Sequence, residues 1–417
     1  MASVERGGEF VLTSGVGAVV VDDAGREYLD LTAGLWFANV GHGRTEIADA
    51  MGAQAGQLAA YSTFGDMANR PVLELADRLA SIAPMADAKV FFTSGGSDSV
   101  DTAAKLVRRY WSIQGHPGRT TIITRERAYH GMHWGGTALA GISANRSGYG
   151  EWGADVATVA WNDVDDLVRV LDQLVDEEGG STAAAFYCEP VIGAGGVHYA
   201  GEPYLAAARQ LCRDRGVLWV SDEVITGYGR LGEWFASTRF DLAPDLVLSA
   251  KGLTSGYAPM GAVLVAPTVS EPFWNGAAGM WRHGYTYSGH AVGAAAALAN
   301  LDVLEREGLV ARVRELEPVL ADTFGELVQH DLVSEVRAGV GLLAAVQLTP
   351  EAVSADPSLP QQVIAELRGR GILTRGLVDG SLQVSPPFVV TADQLKNAAA
   401  GCWDALEAVQ QVRKRSV

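Results

Sequence analysis

Six short apolar runs recur through the middle of the chain, each the length of one strand, with segments of helical period between them. They are Val90-Phe91-Phe92 and residues 121–124, 184–188, 217–220, 246–248 and 262–266. A strand apolar on both faces must be covered on both faces, which is the condition of a mainly parallel sheet between helices. The pattern therefore predicts an α/β fold. Its flanks read differently. The first forty residues alternate as half-buried strands do, in Ala18-Val19-Val20-Val21 and, after a turn at Gly25, Tyr28-Leu29-Asp30-Leu31. After about residue 310 a smaller α+β segment follows, with a helical stretch at 361–368 and a terminal helix from about Ala392. The two flanks are expected to form one small domain beside the large sheet.

The remaining bulk properties narrow the function classes. A chain of 417 residues is too long for one ordinary core and suits one large and one smaller domain. With 48% hydrophobic and 19% charged residues it can bury a substantial core. A formal net charge of −17 repels phosphate backbones and anionic membranes, so neither a nucleic acid nor a membrane is an expected partner. Cys188, Cys212 and Cys402 are widely spaced and form no CxxC, which predicts core thiols and no metal site. The N-terminal MASVERGGEF has no apolar core, and the longest apolar stretch, near 291–304, contains a Gly and an Asn. The expectation is a cytoplasmic protein.

Ligands of open α/β sheets collect at the carboxyl ends of the strands, so the residues after each run carry the functional signal. After Val90-Phe91-Phe92 comes Thr93-Ser94-Gly95-Gly96-Ser97, then a helix with Val100, Ala103, Ala104, Val107 and Trp111 on one face. Such a turn aims backbone N–H groups and the positive end of the helix dipole at one point, a natural phosphate cup, although an ordinary strand-to-helix turn looks the same. The run at 121–124 leads to Tyr129-His130-Gly131. Tyr129 is either a cover for a flat ligand or a packed surface aromatic, and His130 alone reads as a hydrogen-bonded structural histidine. The run at 217–220 ends in Ser221-Asp222-Glu223-Val224, and the run at 246–248 leads through Ser249-Ala250 to Lys251. A carboxylate at a buried strand end needs a cationic partner. Asp222 and Lys251 are thus either a plain buried salt bridge or two hands on one cofactor. An amine for an aldehyde, a carboxylate for a ring nitrogen, a phosphate cup and a stacking ring are together what pyridoxal phosphate requires.

The segments Phe91-Phe92-Thr93-Ser94-Gly95-Gly96-Ser97-Asp98, Tyr129-His130-Gly131, Ser221-Asp222-Glu223-Val224-Ile225-Thr226-Gly227-Tyr228-Gly229-Arg230 and Ser249-Ala250-Lys251-Gly252 resemble the class III aminotransferases. These are fold-type I pyridoxal-phosphate enzymes, and the similarity extends over nearly the whole chain. Gly34-Leu35-Trp36, Gly193-Ala194-Gly195-Gly196 and Tyr285-Thr286-Tyr287-Ser288-Gly289-His290 are most similar to the ω-transaminases, which act on amines and ω-amino acids with pyruvate. The resemblance implies a seven-stranded, mainly parallel sheet in a large cofactor domain, 46–310. Residues 1–45 and 311–417 would make up the smaller α+β domain.

It also implies residue roles. Lys251 would hold pyridoxal 5′-phosphate as a Schiff base and then shuttle a proton between the substrate carbon and C4′. Asp222 would pair with the pyridinium nitrogen, with Val224 on one face of the ring and Tyr129 on the other. Gly96 and Ser97 would hold the phosphate, and Thr286 would reach the phosphate of the other subunit's cofactor, making a homodimer or dimer-based tetramer. Trp36, Phe64 and Ala194 would line the substrate pocket, and Arg375 would bind a substrate carboxylate. Four positions depart from the family pattern. Gly95, Asp98 and Ser99 stand where Ser, Glu and Ala are usual, a change that backbone phosphate contacts should survive. Gly65 replaces a second aromatic after Phe64, and the stretch following Trp134 is shorter than in typical ω-transaminases. Both features point to an open entrance and bulky substrates. Amino transfer through pyridoxamine phosphate is the expected reaction. An aminomutase or decarboxylating transaminase uses the same groups, and a non-catalytic relative would lack reason to keep Lys251 and Asp222.

Overall fold

The chain begins with three strands, β1 (Leu12–Val16), β2 (Val19–Asp22) and β3 (Glu27–Asp30). Seven follow: β4 (Lys89–Thr93), β5 (Thr121–Arg125), β6 (Val156–Val159), β7 (Ala183–Cys188), β8 (Leu218–Asp222), β9 (Leu246–Ser249) and β10 (Gly261–Val265). Four more close the chain: β11 (Val333–Arg337), β12 (Ala344–Leu348), β13 (Ile372–Leu373) and β14 (Ser381–Val384). The computed structural model describes residues 8–153 and 155–415. They fall into two compact units, Met1–Thr45 with Arg312–Val417, and Glu46–Ala311.

In the larger unit the seven strands form one sheet in the order β4-β10-β9-β8-β7-β5-β6. Pairing is parallel from β9 through β8, β7 and β5 to β6, and only β10 runs against its neighbours β4 and β9. The carboxyl ends of the other six strands therefore meet along one edge. Every residue of β5, β7, β8, β9 and β10 is buried. Neighbouring side chains serve opposite faces. Tyr187 and Val220 pack with Val100, Ala103 and Val107 of the helix Gly96–Ile113. Phe186 and Trp219 pack with Leu167 and Leu205, from the helices Val164–Gln173 and Glu202–Asp214. Each fully buried apolar side chain of this kind contributes about 1.5–3 kcal/mol, and that double demand is why these strands carry no polar alternation. The edge strand β6 did not stand out in the sequence because only its last residue, Val159, is buried. β1 escaped for a related reason, being exposed along nearly all its length.

In the smaller unit β13 joins β3 in parallel, aligning Ile372 with Leu29 and Leu373 with Asp30, so both ends of the chain share one sheet, β1-β2-β3-β13. A second sheet, β11-β12-β14, and the helices Leu359–Gly369 and Ala392–Arg415 complete this unit. Among the described residues no helix is long and apolar enough to cross a membrane, and no group of three or more His, Cys, Asp or Glu could hold a metal ion.

The turn after β3 is held by one carboxylate. Ala33, Gly34 and Trp36 all have positive φ (48°, 68° and 62°), a conformation that costs non-glycine residues about 1–3 kcal/mol each. Asp30 compensates. Its Oδ1 accepts from the N–H and hydroxyl of Thr32 at 2.8 and 2.7 Å, and its Oδ2 from Gly34 N at 2.7 Å and His42 Nε2 at 3.0 Å. Burial alone would raise the Asp30 carboxyl, but the bonds from His42, Thr32 and Gly34 outweigh it and hold the group below its usual range. A lowered folded pKa stabilises above the unfolded value and loses that contribution as pH falls through the folded one. Asp30→Ala is thus expected to cost about 3 kcal/mol at neutral pH, with the difference in melting temperature from the parent closing below about pH 4. Thermal unfolding of both proteins across pH 3–8 checks this.

Candidate active site

Asp222 is the last residue of β8 and is buried, and Lys251 follows the adjacent parallel strand β9 by two positions. β8 pairs with β9 so that Asp222 lies beside Leu248. A carboxylate in this position needs compensation, and two donors supply it. His130 Nδ1 donates to Asp222 Oδ2 at 2.7 Å, and the N–H of Val224 donates to Oδ1 at 3.1 Å. His130 comes from the loop after β5, reaching across β7, and its ring stands edge-on to Tyr187 with centroids 5.7 Å apart. The adjacent acid, Glu223, behaves differently. Its oxygens accept from Ser237 N at 2.9 Å, Thr226 Oγ1 at 3.2 Å, Ser221 Oγ at 3.3 Å and the N–H of Ala236. Burial pushes the Glu223 carboxyl up, and these bonds pull it back. Glu223 is thus committed to pinning the loop, and Asp222 is the acid that serves the strand end.

Lys251 has φ +42°, in the left-handed region that lysine rarely adopts. The turn is fixed from the helix Ala291–Arg306, where the buried carboxamide of Asn300 donates to the carbonyls of both Gly252 and Leu253 at 2.9 Å.

On the far side of the sheet, β4 runs through Gly95 into the helix Gly96–Ile113. The N–H groups of its first turn have no preceding helical carbonyl to bond and converge as an anion cup. Two glycines let the neighbours close in. A Cβ on Gly96 would stand 3.0 Å from Val224 Cγ1, and one on Gly131 (φ +88°) would strike the Ser97 hydroxyl. The N–H of Met132 donates to Ser97 Oγ at 3.2 Å, tying the cup to the loop that carries Tyr129 and His130. The backbone of Tyr129 is set by Glu189, at the tip of β7, whose Oε1 accepts from Tyr129 N at 2.9 Å and whose Oε2 accepts from Gly193 N at 3.1 Å. Burial pushes the Glu189 carboxyl above its usual range, and His130 pulls it partly back. Ala194 lies half-buried in the next turn, where a Cβ on Gly193 would strike Ile225 and one on Gly195 the Arg127 carbonyl.

Of the remaining expected residues, two belong to the larger unit and two to the smaller. Thr286 is exposed on the loop between Gly284 and Gly289, and half-exposed Phe64 lies so near that a Cβ on Gly284 would come within 2.5 Å of its ring. A cleft of about 600 Å³ borders Phe64, Gly65, Lys105, Trp281, Arg282 and His283. In the smaller unit, Arg375 Cζ sits 4.3 Å from the centroid of the Trp36 ring, and Arg375 Nε donates to Gln383 Oε1 at 2.6 Å.

Sequence reasoning missed Glu189, Asn300 and Gln383, and gave His130 no partner. Glu189 follows the run at 184–188 as Asp222 follows its own, so reading one residue further would have flagged it. Asn300 and His130 depend on partners far along the chain, and Gln383 on a hairpin that the sequence did not reveal. The sheet edge suits a flat, phosphorylated aromatic ring: a cup of N–H groups, a carboxylate for a ring nitrogen, and Tyr129 and Val224 to border the ring. His130→Phe would fill the space but strand the Asp222 charge, and is expected to cost about 3 kcal/mol of stability. In an Asp222→Asn background the same change should cost about 1 kcal/mol or less, because no charge is left unpaired. Denaturation of the four proteins measures the cycle, and equal costs would reduce His130 to a space filler.

Comparison with known proteins agrees with this geometry. Residues 2–406 match the family Aminotransferase class-III. The putrescine–pyruvate aminotransferase of Pseudomonas aeruginosa is 37% identical over 95% of this chain and 91% of its own length. The crystal structure of a transaminase from the marine bacterium Virgibacillus superposes with a TM-score of 0.92 at 34% identity, covering 99% of this chain and 96% of that one. The ω-transaminase of Pseudomonas jessenii, in complex with PMP, gives 0.92 at 32% identity, covering 98% and 95%.

Proposed function

The chain belongs to the class III aminotransferases, and we propose that it carries an amino group from an amine or ω-amino acid donor to a keto acid acceptor, using pyridoxal 5′-phosphate held at the sheet edge. The observation that carries this reading is that Asp222 ends β8 and Lys251 follows the adjacent parallel strand β9 by two residues, with the first turn of the helix Gly96–Ile113 following β4 in the same sheet. Family members depend on this cofactor in general. Bound there, it would supply an aldehyde for the incoming amine and an electron sink for the carbon that loses its proton.

The chain's own residues do the rest. Gly96 and Ser97 hold the phosphate through backbone N–H groups. Asp222, steadied by His130, keeps a proton on the ring nitrogen. Tyr129 and Val224 border the two faces of the ring. Lys251 Nζ would hold the cofactor and would serve as the base that takes a proton from the substrate carbon and gives it back. The resemblance assigns Trp36, Phe64 and Ala194 to contact with substrate and Arg375 to a substrate carboxylate when there is one. Thr286, exposed on its loop, completes the phosphate site of a second subunit in a homodimer or dimer-based tetramer. The cleft beside Gly65 supports tolerance of a bulky donor. The three buried free cysteines fit a protein of the cytoplasm.

Lys251→Ala is expected to abolish turnover and the visible absorption of lysine-bound cofactor, while phosphate-anchored cofactor still copurifies. Parent-level rates with an amine donor and pyruvate would refute the assignment. Arg375→Ala should weaken pyruvate by about 1.5–3 kcal/mol in kcat/KM and leave neutral aldehyde acceptors nearly unchanged. Steady-state kinetics on the two acceptors measures this, and equal losses would make Arg375 structural.

A further inference from the structure

We propose that the cleft bordered by Lys105 and Arg282 is a second binding site, for a carboxylate or phosphate carried on an apolar body. The cleft measures about 600 Å³, and all the residues that line it belong to the larger unit. Its volume falls within the range of small-molecule sites.

Lys105 is held by a chain of hydrogen bonds whose direction is fixed at both ends. An ammonium can only donate, so His283 Nδ1 accepts from Lys105 Nζ at 2.8 Å. The imidazole hydrogen then sits on Nε2, which donates to the hydroxyl of buried Thr102, also at 2.8 Å. Tyr285 gives its own hydrogen to the Asp98 carbonyl at 3.1 Å, so its oxygen accepts from the Thr102 hydroxyl, again at 3.1 Å. This direction requires an uncharged His283. Burial, with the Lys105 charge alongside, pushes the imidazole down to about 4. The ring is also stacked on Phe91, with centroids 5.4 Å apart and planes 22° apart.

An uncharged acceptor steadies the lysine and leaves its charge in place. Among the described residues, no carboxylate pairs with Lys105 or with Arg282. The neighbouring acids of the same helix are engaged elsewhere. Asp98 Oδ2 accepts from Ser94 N at 3.0 Å and its Oδ1 faces His133 Nδ1 at 3.2 Å, while Asp101 Oδ1 accepts from Gly136 N at 3.1 Å. Two cations without acids beside one cleft stand out in a chain of net charge −17, and a concave surface concentrates their field. The rest of the lining indicates what carries the anion. Phe64 is 50% exposed and Met280 77%, apolar surface that a hydrocarbon or aromatic body would cover. Two sources can supply such a ligand, a free small molecule or the acidic tail of a bulky substrate.

The test is calorimetric titration of the holoenzyme with phenyl phosphate, since bound cofactor already fills the phosphate cup. Saturable binding is expected, weakened about tenfold by Lys105→Met and by Arg282→Met. His283→Phe keeps a ring on Phe91 but removes the acceptor for Lys105, and should weaken binding about fivefold. Arg169→Met, which removes an exposed cation from the helix Val164–Gln173, should leave it unchanged. Steady-state kinetics separates the two sources. If a substrate tail fills the cleft, Lys105→Met raises KM about tenfold for an amine donor with a distal carboxylate and not for a neutral donor of equal length. If a free anion fills it, both donors keep their parent KM while the titration still shows the site. Only this kinetic arm rests on the proposed amino transfer, so failure of that reading leaves the titration result standing. No saturable binding, or equal affinity in the parent and both cation variants, would overturn the proposal. So would dissociation of an oligomer on Lys105→Met in sedimentation, which would give the two cations to an acid of a second copy.

Discussion

A carboxylate buried at the tip of the central strand is the constraint that the larger unit answers. β8 has three strands on either side, so no solvent reaches Asp222 along the sheet, and its side chain is 4% exposed. An unpaired charge there costs several kcal/mol, so a donor has to arrive from the loops at the strand ends. His130 arrives by crossing β7, and that crossing dictates the loop. Arg127 and Gly131 take positive φ to make the turns, Gly131 packs onto Ser97, and the N–H of Tyr129 is received by Glu189. The position of an aromatic ring, the contact between phosphate cup and loop, and a second buried acid all follow from satisfying the first. Glu189 is in turn affordable because its two oxygens accept backbone N–H groups from two separate turns.

A strained residue stands at the neighbouring strand end. Lys251 is held at φ +42° between a fully buried strand and a turn gripped by Asn300. A left-handed lysine persists only where its surroundings over-determine it, and the fully buried Asn300 supplies that from a different helix.

What was legible in the sequence follows from the same physics. Strands buried on both faces must be apolar throughout, so β5, β7, β8, β9 and β10 were visible as runs, and the edge strand β4 was visible through Val90-Phe91-Phe92. Edge and exposed strands carry no such demand, and β1, β6 and the two-residue β13 were not. Asp222 and Lys251 were conspicuous because a charge directly after an apolar run contradicts its surroundings. Glu189 carried the same signal, one residue past where the run was taken to end. The partners were not legible at all. His130 and Asp222 are 92 residues apart, Asn300 and Gly252 are 48 apart, and no spacing rule joins them. Such pairs are fixed by topology, here by β5, β7 and β8 lying side by side.

Trp36 and Arg375 mark a second limit of the same kind, and they show how the smaller unit is built. Trp36 belongs to a turn shaped by Asp30, and Arg375 to a hairpin closed on Gln383. The two are brought together because β13 pairs with β3, setting the residues before the hairpin beside those before the turn. A two-residue strand pairing therefore decides whether an arginine meets an aromatic face. The acids and lysine of the sheet edge sit at the ends of fully buried strands, where Asp222 and Glu189 are tied to one loop by hydrogen bonds. Arg375 sits half-buried in a short hairpin, against Gln383 and the face of Trp36. On the proposed function, a substitution at the sheet edge would alter the groups that hold and move protons, whereas one in the hairpin would alter how a guanidinium is aimed, so chemistry and substrate preference could vary independently.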